Sequence, residues 1–313
     1  MAIIDIKNLT KTVAGLVKTL NPRNRDIVSR RFGLKSGSKE TLESIGKSYG
    51  ITRERVRQIE EFALAQLTKA AAESRELARF AASVKDAISK EGGVIKERAL
   101  FKMVSGSDKD SVANASLVFA LTLEKELARL ADNDHFHAFW ARDTRTLEAF
   151  RGQVAALVSA LQSHSAVLPS SKLVSLAQDK AIASLDGSAF NEKHLATVSA
   201  ICKDLGCNIF GQMGLTHWSQ IRPKGVRDKA YLVIRQAGAP QHFSQIAKLI
   251  NVAKFDAKKV NVQTVHNELI KDKRFVLVGR GMYALAEWGY KAGTVKDVLV
   301  DILKTNGKAL PRA

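Results

Sequence analysis

The 313-residue sequence predicts a mainly α chain, with an N-terminal helix-turn-helix followed by tandem helical units that each close in a short β wing. Three observations predict it. Apolar residues recur at three- and four-residue spacing from Thr41 to Leu67, with a glycine where the chain must turn. Three later segments join a helix of the same period to a short β-ribbon closed by tryptophan. Aromatic residues make up only 6% of the chain while Ala, Leu, Val and Ile dominate, which favours small helical modules over one large sheet. A chain of this length holds several such modules.

The first well-marked helix begins at Asn21 as cap, with Pro22 in its first turn and Gly33 as its stop. A second follows from Thr41, where Leu42, Ile45 and Ile51 are spaced to pack one helix on the next and Gly50 supplies the turn. Thr52 then caps a third helix. Its apolar stripe is Val56, Ile59, Ala63 and Leu67, which leaves Arg53, Glu54, Arg57 and Gln58 on the opposite, exposed side. A helix-turn-helix sets this part of its second helix against base edges in the major groove, where Arg suits guanine and Gln suits adenine.

The run ITRERVRQIE, starting at Ile51, resembles the signature of region 4 of the sigma-70 family, which binds the −35 promoter element. Upstream, Asn21 to Val28 followed by Arg30, Arg31, Phe32, Gly33 and Leu34 is similar to the preceding helix of that family and its RFGL ending. The resemblance covers roughly residues 16 to 72. It implies that Arg53, Glu54, Arg57 and Gln58 read bases and that Arg55 contacts phosphate, with Thr52 counted among the DNA-binding residues; the surface around Ile27, Arg31 and Phe32 is the candidate polymerase-docking surface. Only about twenty residues precede the matching segment, so a factor without promoter-melting regions is expected.

Beyond it the chain repeats. Ribbons end at Trp140, Trp218 and Trp288, 78 and 70 residues apart. The helices before them are marked by Leu117, Leu121, Leu127 and Leu130; by Leu195, Val198, Ile201 and Leu205; and by Val262, Val265, Leu269 and Ile270. With similar openings at Val84, Val154 and Ala230, each unit reads as a winged helix: a helix, a connection, two more helices and a wing. The third unit, from AYLVIRQAGAPQHFSQIAKLIN to Gly281-Met282-Tyr283-Ala284-Leu285, resembles the HARE-HTH winged helix also found in the RNA polymerase delta subunit. That resemblance covers about residues 225 to 290 and implies a nucleic-acid or polymerase setting. Residues 293–313 resemble the opening of a further unit, or supply a closing helix. The expected division is 1–75, 76–148, 149–222, 223–290 and 291–313.

The formal charge of +18 is uneven: residues 1–75 carry +7, residues 222–313 carry +11, and residues 76–221 are neutral. Two basic ends suggest two phosphate-facing modules with a spacer or protein-docking middle. In the third unit Lys258, Lys259 and Gln263, with Asn261, Thr264 and Asn267, surround the start of the third helix, and Lys271, Lys273, Arg274 and Arg280 surround the wing. Double-stranded DNA and RNA polymerase are the expected partners.

Catalysis and cofactors find little support in the pattern. Cys202 and Cys207 have no second pair, so neither a disulfide framework nor a zinc site is expected. Gly46-Lys47-Ser48 mimics the end of a phosphate loop but lacks its first glycine. His135 and His137 alternate along an expected wing strand without further ligands. The N-terminus shows no signal peptide and the longest uncharged run, Val112 to Leu123, is too short for a bilayer, so a cytoplasmic, non-enzymatic protein without metal or cofactor is expected. The reading is a bacterial-type DNA-binding transcription factor that grips a −35-like element. The alternative is a polymerase-docking regulator, anti-sigma-like or delta-like, that does not read sequence.

Overall fold

A computed structural model describes residues 6–290 and 303–304. The fold is mainly α with small antiparallel sheets. Contacts divide it into two units, residues 1–160 with 174–204 and residues 161–173 with 205–313.

The N-terminal part contains α1 (Ile6–Val17), α2 (Pro22–Phe32), α3 (Leu42–Tyr49) and α4 (Arg53–Ala72). The start of α2 follows from local chemistry: the Asn21 side chain accepts the Asn24 N–H at 2.8 Å, and Pro22 occupies the first turn. Gly33 ends α2 in the left-handed region at φ 73°, where its N–H and that of Leu34 return to carbonyls of the last turn. Next come α5 (Arg75–Lys90), β1 (Val94–Lys96), α6 (Glu97–Ser105), α7 (Val112–Leu123), β2 (Ala128–Leu130) and β3 (Phe139–Ala141). They are followed by α8 (Thr144–His164), β4 (Leu168–Pro169), α9 (Ser170–Asp179), α10 (Glu192–Ile201), β5 (Leu205–Cys207) and β6 (Gln212–Leu215). The last set is α11 (Val226–Ala237), β7 (Gln241–His242), α12 (Phe243–Ala253), α13 (Val262–Lys271), β8 (Phe275–Gly279) and β9 (Met282–Leu285).

The same order thus recurs three times: helix, strand, two helices, and a hairpin whose last strand lies in the middle of a three-stranded sheet. Strand register shows which positions correspond. Trp140 faces Ile95, Met213 faces Leu168, and Tyr283 faces Gln241, each on the central strand. Trp140 therefore stands where Met213 and Tyr283 stand, inside the strand. Trp218 and Trp288 instead lie three residues beyond the ends of β6 and β9. The tryptophan spacing read from the sequence mixed two different positions.

Other expectations also shift. The α7 helix stops at Leu123, so Leu127 lies in a loop and Leu130 in β2; Leu205 likewise belongs to β5. His135 and His137 sit outside any strand, in the loop before β3. His135 Nδ1 is 2.8 Å from Asp204, and His137 Nδ1 is 3.5 Å from Asp132. The expected further unit or closing helix at 291–313 lies outside the described residues apart from 303–304.

One continuous core fills much of the first unit. Leu9, Val13 and Val17 of α1, Val28 of α2, and Ala63 and Leu67 of α4 join Val84 and Ile88 of α5, Leu100 of α6, Phe119 of α7 and Trp140 of β3. The expected boundary after residue 75 is therefore not a gap in packing. A smaller cluster of Ile27, Ile45 and Val56 lies between α2, α3 and the start of α4. Neighbouring positions on α2 serve both, Ile27 one and Val28 the other. The division between the units runs through the middle repeat, whereas the third repeat closes a core of its own. Ile234 of α11, Ile246 and Ile250 of α12, Val265 and Leu269 of α13, and Tyr283 and Leu285 of β9 meet there.

Candidate nucleic-acid interface

The helix-turn-helix is set by packing at its turn. Thr41 caps α3 by accepting the Ser44 N–H at 3.1 Å, and Gly50 ends it in the left-handed region at φ 63°. Thr52 caps α4 by accepting the Arg55 N–H at 3.2 Å. The approach is closest at Gly46, where a Cβ would stand 2.7 Å from the Ile51 carbonyl oxygen. That contact accounts for the glycine of Gly46-Lys47-Ser48. Ile45 and Val56, both fully buried, fix the angle between the two helices together with Ile27.

With Val56, Ala63 and Leu67 turned inward, Arg53, Glu54, Arg55, Arg57 and Gln58 are all exposed on the first two turns of α4. They are linked to one another. Arg57 donates to Glu54 at 2.7 Å one turn back and to Glu61 one turn ahead. Arg55 donates to the Gln58 side-chain oxygen at 3.0 Å. Hydrogen bonds from Arg57 hold the Glu54 carboxyl below its ordinary pKa, and the same bonds raise Arg57. Exposed pairs of this kind exchange readily for other partners, so the guanidinium is oriented along the helix without being locked. A guanidinium offers two parallel donors to the guanine edge and a carboxamide pairs with adenine, so this surface presents both chemistries side by side.

The residues expected to dock polymerase are arranged differently. Ile27 has no exposed surface and lies in the small cluster beneath α3 and α4. Phe32 is half-buried, with its ring edge-on to Phe119 of α7 at 5.0 Å between centroids. Arg31 donates to Glu60 at 3.3 Å and to the Glu40 carbonyl at 3.1 Å. These three side chains bind α2 to the rest of the first unit, and the expectation of an apolar docking surface at Ile27 and Phe32 is corrected. Helical spacing showed that they share a region of α2; it did not show that other helices cover it.

A clamp of more distant origin supports the same module. Arg30 makes two hydrogen bonds with Glu40, at 3.0 and 2.7 Å, and a third to Ser48 at 2.7 Å. Asp26 accepts from the Tyr49 hydroxyl at 2.8 Å. These bonds tie α2 to both ends of α3. Sequence reasoning missed them because opposite charges at spacings of ten or more carry no periodic signal.

In the second unit, Asn261 caps α13 by accepting the Gln263 N–H at 2.8 Å. Lys258, Lys259 and Gln263 are exposed around that start, with Gln263 donating to Asn267 at 3.2 Å. Lys273 is exposed before β8, and Arg280 is exposed in the turn between β8 and β9. Arg274 differs from its basic neighbours. It donates to Asp272 at 2.7 Å and to Asp228 at 2.9 Å, and its guanidinium lies 5.3 Å from the centre of the Tyr231 ring. It fastens α11 to the hairpin and is corrected from the phosphate-facing set. Among the described residues no group of three or more His, Cys, Asp or Glu side chains is placed to hold a metal ion. No described helix is long and apolar enough to cross a membrane.

Residues 16–69 match the family described as Sigma-70, region 4. The chain is 48% identical over 62 residues to "RNA polymerase sigma factor SigA1" of Synechococcus elongatus, a stretch covering 20% of this chain and 16% of that protein. It is 46% identical over 56 residues to "RNA polymerase principal sigma factor HrdD" of Streptomyces coelicolor, covering 18% and 17%. Against "RNA polymerase sigma factor SigA" of Clostridium acetobutylicum it is 44% identical over 59 residues, covering 19% and 16%. The chain thus spans under a fifth of the length of these relatives.

Proposed function

We propose that this protein is a bacterial-type, DNA-binding transcription factor that reads a −35-like promoter element through α4 and associates with RNA polymerase during initiation. The observation that carries the reading is the exposed set Arg53, Arg57 and Gln58 on the first turns of a capped second helix, within a segment nearly half identical to sigma factors. Arg53 and Arg57 supply guanine-type donors, Gln58 an adenine-type pair, Glu54 a cytosine acceptor, and Arg55 a phosphate contact. The three repeats are read as winged helices and the third as a HARE-HTH unit. There Lys258, Lys259, Gln263, Lys273 and Arg280 add contacts that raise affinity without specifying sequence. Linked modules of this kind gain from effective concentration on one duplex. The protein is assigned to the cytoplasm, with no catalytic step of its own.

The alternative is a polymerase-docking regulator, anti-sigma-like or delta-like, that does not read sequence; Ile27 and Phe32 lend it little support, because one is sealed and the other packs on Phe119. Fluorescence anisotropy on short duplexes tests the proposal. Tighter binding to a duplex with a −35 hexamer than to its scrambled counterpart, at both low and moderate salt, supports it. Equal binding to both duplexes, falling steeply with salt, rejects sequence reading.

A further inference from the structure

A cavity of about 350 Å³ lies between α1, α2 and α7 in the first unit, within the size range of small-molecule sites. Val13 and Val17 of α1, with Leu34 just beyond α2, form its apolar wall. Lys18, Arg25 and Lys35 stand around it, and none of its described lining residues is a carboxylate.

These cations are loosely held or free. Lys35 is exposed and meets Asp26 at 3.3 Å, a carboxylate that also accepts from the Tyr49 hydroxyl at 2.8 Å. The Lys18 and Arg25 side chains make no ion pair or hydrogen bond with any described residue. Arg25 is nevertheless half-buried beside the cavity.

A second observation is independent of charge. Ser29 of α2 is 4% exposed and Ser116 of α7 is 1% exposed, and both line the cavity. Neither hydroxyl has a hydrogen-bond partner among the described residues. Helical hydroxyls commonly return to the carbonyl one turn back, as those of Thr10, Ser83 and Ser89 do. Ser29 and Ser116 forgo that bond and bring an unfilled donor and acceptor each to the same space. Buried polar groups without partners are costly, so two on one cavity call for a polar occupant. Ser29 lies one turn after Arg25 on α2, which makes its hydroxyl and the guanidinium neighbours on one helix face.

We infer that this cavity binds a small organic acid with a compact apolar body. Its carboxylate accepts hydrogen bonds from Arg25, Ser29 and Ser116, Lys18 and Lys35 add positive charge, and its body lies against Val13, Val17 and Leu34. A guanidinium is the side chain best suited to a carboxylate, and the apolar wall rewards the body that an inorganic anion lacks. The site is independent of whether α4 reads DNA.

Methyl resonances of the full chain, labelled at Val and Leu and titrated at fixed ionic strength, test this with two probes, benzoate and hexanoate. Saturable shifts of the Val13, Val17 and Leu34 methyls by at least one acid are expected. Benzamide and hexanamide, which keep the body and lose the charge, should bind about tenfold or more weakly, the scale of one lost hydrogen bond to a charged group. Acetate, which keeps the charge and loses the body, should also bind more weakly. Arg25→Met should weaken binding of the acids about tenfold with the unliganded unfolding temperature unchanged, and Arg25→Lys should retain part of the affinity. No saturable shift with either acid, equal affinity for the amides or for acetate, or undiminished binding by Arg25→Met would overturn the assignment.

Discussion

If the helix-turn-helix and the first repeat share one core, a cavity cut into α7 should unfold both together. Phe119 is the position to cut: it is fully buried, belongs to the core that includes Val28, Leu67 and Ile88, and receives Phe32 of α2 edge-on. Truncation to alanine removes an aromatic ring and leaves a void that fixed helices fill only partly, so Phe119→Ala should cost about 3–5 kcal/mol. Because a domain holds only about 5–15 kcal/mol, much of the stability of the first unit is at stake. The Phe32–Phe119 contact itself should appear as a coupling of about 0.5–1.5 kcal/mol in a double-mutant cycle with Phe32→Leu. Urea unfolding followed by two probes makes the measurement. Circular dichroism reports all helices, and hydrogen exchange resolves α2, α4 and α7 separately. The expected result is one cooperative loss of protection in these three helices at a lower urea concentration. If α7 lost protection while α2 and α4 kept theirs, the helix-turn-helix would be a separate domain and the shared core would be refuted.

Gly46→Ala should destabilise by about 1–3 kcal/mol, since the new Cβ meets the Ile51 carbonyl at 2.7 Å, and thermal unfolding measures it. An unchanged melting temperature would mean that the turn yields freely. Hydrogen bonds from Arg274 hold the Asp272 carboxyl below its ordinary 3.8, so its stabilising contribution is fully present above about pH 4 and is lost as pH falls through the lower, folded value. Asp272→Asn should therefore lower the stability of the third repeat at neutral pH and flatten its acid limb below pH 4, read by Trp288 fluorescence in a double mutant lacking Trp140 and Trp218. Replacing Lys258 and Lys259 by alanine should reduce the salt slope of DNA binding by about 0.9 per lost phosphate contact and leave sequence preference intact.

Local signals in the sequence proved the most informative. Asn21, Pro22, Gly33, Gly50 and Thr52 mark helix ends through their own backbone chemistry, and each sits where its residue type requires. The inward stripe of Val56, Ala63 and Leu67 was legible because one helix determines its own period. What the sequence withheld was long-range. Ile27 and Phe32 looked like one patch on α2, yet α3 and α4 enclose the first while α7 meets the second. Arg274 has the composition of a phosphate ligand, but its partners Asp228 and Asp272 are brought to it by the packing of α11 on the hairpin. Trp140 shares a residue type with Trp218 and Trp288 but not a register, and only strand pairing separates them. In the candidate interface, exposure of the α4 side chains followed from periodicity. The links from Arg57 to Glu54 and Glu61 depend on rotamers, which spacing permits without specifying.

Whether α4 reads bases is decided by the double variant Arg57→Ala/Gln58→Ala, compared with the wild-type chain on duplexes with and without a −35 hexamer. Both residues are exposed, so the fold and melting temperature should be unchanged. The hexamer preference should fall by about 1–3 kcal/mol for each lost base contact, while affinity for the scrambled duplex changes far less. An undiminished preference in the variant would mean that Arg57 and Gln58 do not read the hexamer.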